Sequence, residues 1–194
     1  IEIGEGVQRC NVGDAVCALL GGCLYAEEFV LAAGQVLPVP KGLSMVQAAA
    51  LPEVFATAYL NLYMEGALQT TEKAIVHAGA SGVGTAAIQL LKQSGNPVFV
   101  TVGSDEKLRS CVELGADTGS VRHQGSFAEA ATAWAGEQGV DVILDPVGGL
   151  YLADNLHVLG LGGRLVLIGL MGGAVTEANL ALLMLKRARV IGST

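Results

Sequence analysis

The chain has 194 residues, of which 52% are hydrophobic and only 15% charged, and its formal net charge is −7. This length allows one ordinary domain with a buried core, and the acidic balance weighs against nucleic-acid binding, which needs a basic surface. The longest apolar stretch, residues 165–175, is interrupted by glycines and is too short for a membrane span of roughly 18 residues, so the composition favours a parallel sheet covered on both faces.

The first 40 residues predict short strands separated by turns, because glycines repeatedly interrupt the apolar runs. Pro38 and Pro40 end this β-rich part. Ser44 with Gln47 three residues later forms a capping-box pattern, which predicts the start of a helix at this point. A second helix is predicted over residues 55–65.

From residue 74 onward, predicted strands alternate with predicted helices. The strands cover residues 74–77, 97–102, 117–121, 140–144 and 164–168, and the helices cover residues 85–93, 106–114 and 127–136, with one more before the last strand. Short connections of this kind imply right-handed crossovers and a doubly wound parallel sheet. The one basic cluster, residues 186–189, is expected to be the solvated end of a helix. The predicted fold class is therefore α/β: a parallel-sheet Rossmann domain preceded by part of a β-rich domain.

A glycine-rich loop joins the first of these strands to the first of these helices. Residues 77–85 read HAGASGVGT, and such a loop lets backbone N–H groups approach a pyrophosphate at the positive end of the following helix. Gly84 would let that helix pack close to the sheet. The spacing is G-x-x-G-x-G rather than the usual G-x-G-x-x-G, so a glycine-rich turn without a ligand is the alternative interpretation.

The residues after the second strand favour NADPH over NADH. A protein that selects NAD usually places Asp or Glu at the end of this strand, where it binds the ribose hydroxyls. Here a small residue, a hydroxyl and two cations suit the extra phosphate of NADPH: Gly103, Ser104, Lys107 and Arg122. In the alternative interpretation both cations are solvated, and Asp105 or Glu106 serves NAD.

A series of motifs resembles the quinone oxidoreductase (zeta-crystallin-like) branch of the zinc-free medium-chain dehydrogenase/reductase family. In chain order they are residues 13–16, 38–40, 48–52, 57–59, 77–85, 107–108, 114–116, 141–145 and 162–164. Residues 144–149 and 169–173 look most like the tumour-suppressor-inducible quinone oxidoreductases. The resemblance spans nearly the whole chain.

The resemblance implies a two-domain enzyme that binds NADPH between its domains. Residues 1–50 would form part of a GroES-like catalytic domain, and residues 51–194 a Rossmann NADPH-binding domain truncated at its C-terminal end. The chain would thus be a fragment of a cytoplasmic enzyme that forms a homodimer when intact. No membrane association is expected, and no nucleic-acid partner.

Site residues follow from the same resemblance, position by position. The residue expected beside the nicotinamide amide is Thr57. Those expected at the pyrophosphate are Ser81, Gly82, Val83 and Gly84. Those expected at the adenosine phosphate are Gly103, Ser104 and Lys107, with Arg122 where relatives have a tyrosine. Those expected along the path to the nicotinamide and at its end are Val147, Leu170 and Met171.

No metal site is expected in this chain. Zinc-dependent relatives insert a four-cysteine lobe soon after the Gly-Asp turn, and no such insertion is present here. The cysteines lack the spacing of a tetrahedral site and are expected to be reduced thiols: Cys10, Cys17, Cys23 and Cys111. The histidines are expected to be structural or exposed: His77, His123 and His157.

The function implied is hydride transfer from NADPH to a quinone or a related conjugated carbonyl. No catalytic residue is assigned, because a quinone needs little acid catalysis and the cofactor carries the chemistry; Tyr59 and Tyr63 are candidates near the cleft, but packing on a helix face is favoured for both. Two alternatives stay open. One is reduction of enals, enones or enoyl thioesters on the same fold, and the other is a nucleotide-binding protein without turnover, of the crystallin or RNA-binding type.

Overall fold

The structure of the protein is a computed structural model, and it describes residues 2–22 and 24–194. The chain divides into two compact units, Ile1–Ala56 and Thr57–Thr194. The assignment of residues 1–50 to a GroES-like domain and of 51–194 to a nucleotide-binding domain stays a prediction. Cys23 lies outside the described residues.

The first unit contains little regular structure. Strands β1 (Val16–Cys17) and β2 (Leu37–Pro38) pair antiparallel, and a 3-10 helix covers Ala33–Gln35. Helix α1 (Met45–Ala49) follows, with the predicted capping box confirmed at Ser44: its side chain accepts from the Gln47 N–H, and the Gln47 side chain accepts from the Ser44 N–H. Of the several short strands expected here, the described part of this unit contains β1 and β2.

Helix α2 (Pro52–Tyr59) continues into a π-helix at Leu60–Glu65. The predicted helix over residues 55–65 therefore begins at Pro52, a residue that suits the first turn of a helix, and changes its winding halfway. The Gly66 N–H donates to the Asn61 carbonyl five residues back, which is the π-helical spacing. The Asn61 side chain donates to the Thr57 carbonyl at 2.8 Å, so it satisfies an acceptor in the helix that turns from α to π.

The second unit is built on a six-stranded parallel sheet, so the predicted fold class is confirmed. Its strands are β3 (Ala74–Val76), β4 (Val98–Val102), β5 (Thr118–Val121), β6 (Val140–Asp145), β7 (Leu159–Leu167) and β8 (Arg189–Gly192), and their order in the sheet is β5-β4-β3-β6-β7-β8. Its remaining helices are α3 (Gly82–Ser94), α4 (Asp105–Leu114), α5 (Phe127–Ala135), α6 (Leu152–Val158) and α7 (Leu180–Leu185), with a 3-10 helix at Gly149–Tyr151.

The core of this unit lies on the sheet. Every residue of β3 and β4 is buried, as expected for parallel strands that are covered on both faces. Aromatic and aliphatic side chains of α5 and α6 pack against β6 and β7 in one cluster. Within residues 2–22 and 24–194 no helix combines the length and the apolar character needed to cross a bilayer.

Two elements differ from the sequence-based expectation. Strand β7 begins at Leu159 rather than at residue 164, because the glycine-rich residues 160–163 form a register shift against β6 within the strand. Helix α7 was predicted only through its end, since the basic residues 186–189 were expected to close a helix, and α7 does end at Leu185. At its end Lys186 is not solvated as expected: its ammonium group donates to the backbone carbonyls of His157 and Leu159.

Candidate functional site

The chain changes direction in the sheet between β3 and β6. From β3 it builds outward to β4 and β5, and it then returns to place β6 on the other side of β3. Such a switch point leaves a crevice beyond the carboxyl ends of the parallel strands, where ligands of this fold bind. We call this side the carboxyl edge, and the opposite side the amino edge.

The glycine-rich loop links β3 to α3 at the carboxyl edge. Ser81 is the N-cap of α3, and its hydroxyl accepts from the Gly84 N–H at 3.0 Å. Ser81 and Gly82 are exposed, and the first N–H groups of a helix have no acceptor within it. The loop therefore offers backbone donors and the positive end of α3 to an anion at this edge.

Close packing requires two of the loop glycines. A Cβ on Gly84 would lie 2.5 Å from the carbonyl oxygens of Ala78 and Gly79, and a Cβ on Gly79 would lie 2.8 Å from the Val100 Cβ. Neither neighbour can move easily, because one is backbone and the other belongs to the buried strand β4. The G-x-x-G-x-G spacing therefore fits the path of this loop, which presses against its own helix and against β4.

The end of β4 brings Gly103 together with Arg122. Arg122 follows β5, which pairs with β4, and its N–H donates to the Val102 carbonyl at 3.0 Å. The Arg122 Nε lies 3.9 Å from the position that a Cβ on Gly103 would occupy. The same Nε donates to His123 Nε2 at 3.0 Å. A guanidinium thus lies close to the end of β4.

Ser104 and Lys107 follow Gly103 at the start of α4. Ser104 is the N-cap, and its hydroxyl accepts from the Lys107 N–H at 3.3 Å. Asp105, the alternative ligand for an NAD ribose, accepts two hydrogen bonds from the Gln124 side chain, at 3.2 and 3.3 Å. Lys107 and Arg122 are exposed, and so is Glu106, the other alternative ligand for an NAD ribose.

The turn after β6 is held by a buried carboxylate. Asp145, with no exposed surface, accepts from the Val147 N–H at 2.6 Å and from the Gly148 N–H at 3.2 Å. Gly148 has a φ of +79° and packs against Leu170, so a side chain there would be both strained and crowded.

The loop after β7 is bound to this turn. The Met171 N–H donates to the Pro146 carbonyl at 3.1 Å, and the Gly172 N–H donates to the Val147 carbonyl at 2.6 Å. Leu170 and Met171 are exposed by 56% and 72%. The structure thereby brings together three residues expected on the nicotinamide side, Val147, Leu170 and Met171, and leaves the last two open to a ligand.

A series of buried, hydrogen-bonded polar side chains crosses the switch point below these loops. The Asn155 side chain donates to Asp145 Oδ2 at 2.9 Å, and its Oδ1 lies 2.7 Å from His77 Nε2. Since a carbonyl oxygen only accepts, Nε2 of His77 carries the proton, and its Nδ1 accepts from the Thr101 hydroxyl at 3.0 Å. Burial lowers the pKa of His77, although the charge of Asp145 and the bond to Asn155 oppose this effect. His77 is neutral when its Nδ1 accepts from Thr101, and its ring packs edge-on against those of Phe127 and Tyr151.

His77 was expected from the sequence to be structural or exposed, and in the structure it is structural. The sequence did not identify Asp145 and Asn155 as members of the same hydrogen-bonded series. A weak signal existed: Asp145 ends a buried apolar strand, where a polar residue needs a partner. Its partner Asn155 lies on α6, and no local pattern identified it.

The remaining candidates are less closely joined to the loops. The Thr57 carbonyl accepts from Asn61 on the following turn of its own helix. The Tyr63 hydroxyl is bonded to the Ser94 hydroxyl at 2.8 Å, and its ring lies 5.1 Å from that of Tyr59. These contacts favour the packing role for Tyr63, and for Tyr59 through its ring contact.

No cluster of three or more His, Cys, Asp or Glu residues in the described part of the chain could hold a metal ion. Cys10, Cys17 and Cys111 are free thiols. Burial raises the pKa of the Cys111 thiol, which keeps it protonated and unreactive.

The chain is similar in sequence to known oxidoreductases. A sequence model described as "Zinc-binding dehydrogenase" matches residues 82–194. The chain is 32% identical over 193 residues to quinone oxidoreductase-like protein 2 of Bos taurus, covering 99% of this chain and 55% of that protein. It therefore spans about half the length of this curated relative.

Solved structures of two kinds are similar to the chain. The quinone oxidoreductase of Thermus thermophilus, determined also in complex with NADPH, has a TM-score of 0.80 and 34% identity, with 91% of this chain and 56% of that chain covered. The CurK enoyl reductase has a TM-score of 0.72 and 30% identity, with 84% and 48% covered.

Proposed function

Because the chain belongs to the zinc-binding dehydrogenase family, we propose that the protein is an NADPH-dependent oxidoreductase that passes hydride to a quinone or a related electron-poor acceptor. The observation that carries the proposal is the Arg122 guanidinium 3.9 Å from the Cβ position of Gly103. A cation at this place suits a phosphate on the adenosine ribose, and position 103 itself carries no acidic side chain for the NAD ribose.

Different residues at the carboxyl edge bind different parts of the cofactor. The pyrophosphate binds at residues 81–84 through the N–H groups of Gly82 and Val83, since those of Ser81 and Gly84 donate to the Ala78 carbonyl and the Ser81 hydroxyl. The adenosine phosphate binds to Gly103, Ser104, Lys107 and Arg122. Val147, Leu170, Met171 and Thr57 face the nicotinamide half. When bound, the cofactor supplies the hydride, and the protein supplies orientation and exclusion of water. No residue of this chain is assigned to proton transfer, since a quinone accepts hydride with little acid catalysis.

The proposal extends to the whole protein. The chain spans 55% of quinone oxidoreductase-like protein 2, and we propose that residues 1–50 belong to a GroES-like catalytic domain of a cytoplasmic homodimer, and that the enzyme needs no zinc. Residues 144–149 and 169–173 support a place among the tumour-suppressor-inducible quinone oxidoreductases. Metal analysis of the purified protein tests the zinc proposal, because stoichiometric zinc with loss of activity on chelation would overturn it.

The cofactor is tested by fluorescence titration of the complete protein with NADPH and NADH at matched salt. We expect NADPH to bind more tightly, and Lys107→Ala or Arg122→Ala to raise its Kd about tenfold, because each loses a charge-assisted bond to the phosphate. The Kd for NADH should stay the same. Arg109→Ala, which removes an exposed cation from the same helix, is the matched control. Equal binding of both cofactors by the unaltered protein would overturn the NADPH assignment.

A second candidate is reduction of an enoyl thioester. The similarity to the CurK enoyl reductase, at 30% identity over 84% of this chain, favours it. Oxidation of NADPH followed by absorbance separates the two, with a benzoquinone in one assay and a crotonyl thioester in the other. Faster turnover of the quinone by kcat/KM supports the first function, and faster turnover of the thioester replaces it with the second.

A further inference from the structure

The strands on the two sides of the switch point end in polar residues that are joined below the surface. His77 follows β3 and opens the glycine-rich loop, whereas Asp145 ends β6 and holds the turn of residues 145–148. Asn155, on α6, bridges them at 2.7 and 2.9 Å. All three are nine-tenths or more buried. The two halves of the carboxyl edge are therefore connected by side chains as well as by the sheet.

Each of these hydrogen-bonded side chains has a fixed role as donor or acceptor. The Asp145 carboxylate accepts from the turn and from Asn155, so the Asn155 amide must direct its NH₂ to Asp145 and its oxygen to His77. His77 must then accept from Thr101 on β4. Apolar side chains could fill the same space without fixing any direction, whereas a satisfied polar chain specifies one arrangement of the groups at its ends.

We infer that Asn155 and Asp145 are positioning residues for the bound cofactor, which keep the turn of residues 145–148 in register with the glycine-rich loop. The inference rests on the proposed function, because it concerns the same nucleotide site. The turn carries Val147 and is bonded to the loop of Leu170 and Met171. Displacement of Asp145 would therefore shift the nicotinamide side of the edge relative to the pyrophosphate side.

Asn155→Asp is the most direct test, because it keeps the shape and the acceptor for His77 and changes the donor to Asp145 into an oxygen. At pH 8 two carboxylates would face each other across a hydrogen-bonding distance, and we expect the Kd for NADPH to rise about tenfold. Lower pH should reverse the loss, since one proton shared by the two carboxyl groups restores a donor. The other ionisable groups facing this point are His77, Asp154 and Tyr151, and the new carboxylate also favours a proton on His77.

A charge-preserving exchange provides the rescue. In the double variant Asp145→Asn with Asn155→Asp, the amide at position 145 again donates to the carboxylate at position 155 and accepts from the turn. We expect it to recover most of the affinity at pH 8. Thr101→Val, which removes the donor to His77 and the side-chain hydrogen bond of Thr101 with Tyr151, should raise the Kd about twofold and serves if Asn155→Asp does not fold.

The control is a second buried asparagine at the amino edge. Asn96 donates to the Gln69 and Glu72 carbonyls at 2.7 and 2.9 Å and is 5% exposed. Asn96→Asp should lower the melting temperature without changing the Kd or its dependence on pH. All titrations use the complete protein, with both cofactors.

The outcomes separate this inference from the proposed function. The positioning residues act on parts that NADPH and NADH share, so Asn155→Asp should weaken both by the same factor, whereas Lys107→Ala and Arg122→Ala affect NADPH alone. If Asn155→Asp lowers only the melting temperature, as Asn96→Asp does, the positioning role is wrong while the cofactor assignment stands. If the unaltered protein binds neither cofactor, both proposals fall.

Discussion

Two buried polar clusters lie at opposite edges of the same sheet, and they differ in what they hold. At the amino edge, Arg164 of β7 donates to the carbonyls of Gly66 and Ala67 and forms a two-bond ion pair with Glu72, at 2.5 and 3.2 Å. At the carboxyl edge, hydrogen-bonded side chains connect Thr101 through His77 and Asn155 to Asp145. Asp145 holds a turn that lies beside exposed residues. Burial of polar groups alone therefore does not indicate a binding site. What indicates a binding site is the kind of segment that the buried polar groups hold in place.

The amino-edge cluster fixes the connection between the π-helix and β3. Its acceptors are backbone carbonyls of residues 66–67, and Asn96 binds the carbonyls of Gln69 and Glu72 in the same connection. A Cβ on Gly66 would lie 2.8 Å from two helix carbonyls, so this turn has no room for adjustment. We assign the cluster to stability.

The largest expected effect in this comparison is on stability, for Arg164→Met. The change leaves Glu72 and two carbonyls without their partner, and we expect a loss of about 3 kcal/mol in the free energy of unfolding. Urea denaturation measures it, and the Kd for NADPH should stay within about twofold. Arg122→Met is the matched control with the opposite pattern: stability within about 0.5 kcal/mol and weaker NADPH binding. Similar losses of stability in the two variants would contradict the comparison.

The sequence predicted the features that depend on local pattern. The capping box at Ser44, the run of β4 and the glycine-rich loop are each visible within a few residues. Even the approach of Arg122 to Gly103 followed from the alternation of strands and helices, because it places β5 next to β4 and the residues after each at one edge.

The features that the sequence did not predict depend on residues that are distant from one another in the sequence. Asn155 reaches His77 across 78 positions, and Arg164 reaches Gly66 across 98, so no local window contains both members of either pair. The π-helix at Leu60–Glu65 and the register shift before Arg164 were missed for a related reason, since helical and strand periodicities assume regular geometry.

The second expected effect is a dependence of stability on pH that comes from the carboxyl edge. Burial lowers the pKa of His77, so the unfolded chain binds a proton below about pH 6.5 that the folded chain does not. Unfolding free energy should be constant above that pH and fall by up to about 1.4 kcal/mol per pH unit below it. Urea denaturation between pH 8 and pH 5 measures the slope.

His77→Gln should abolish this slope, although it lowers stability at pH 8. The chain has three histidines, and the other two are exposed, so His157→Gln should leave the slope unchanged. A slope that survives His77→Gln would mean that the group losing stability in acid lies elsewhere.

The smallest expected effect belongs to Glu72 and distinguishes the two edges by their pH ranges. Burial alone would raise the pKa of Glu72, but its bonds to Arg164 and to the Gln69 N–H outweigh burial and lower it. Its contribution is thus complete above pH 4.5 and is lost as the pH falls below that value, well under the range of His77. Glu72→Gln should cost about 1 kcal/mol at pH 7, because the amide oxygen still accepts from Arg164 without the charge. As the pH falls below 4.5, the difference between the variant and the unaltered protein in urea denaturation should shrink, and a constant difference down to pH 3 would show that the charge of Glu72 contributes nothing to the amino-edge cluster.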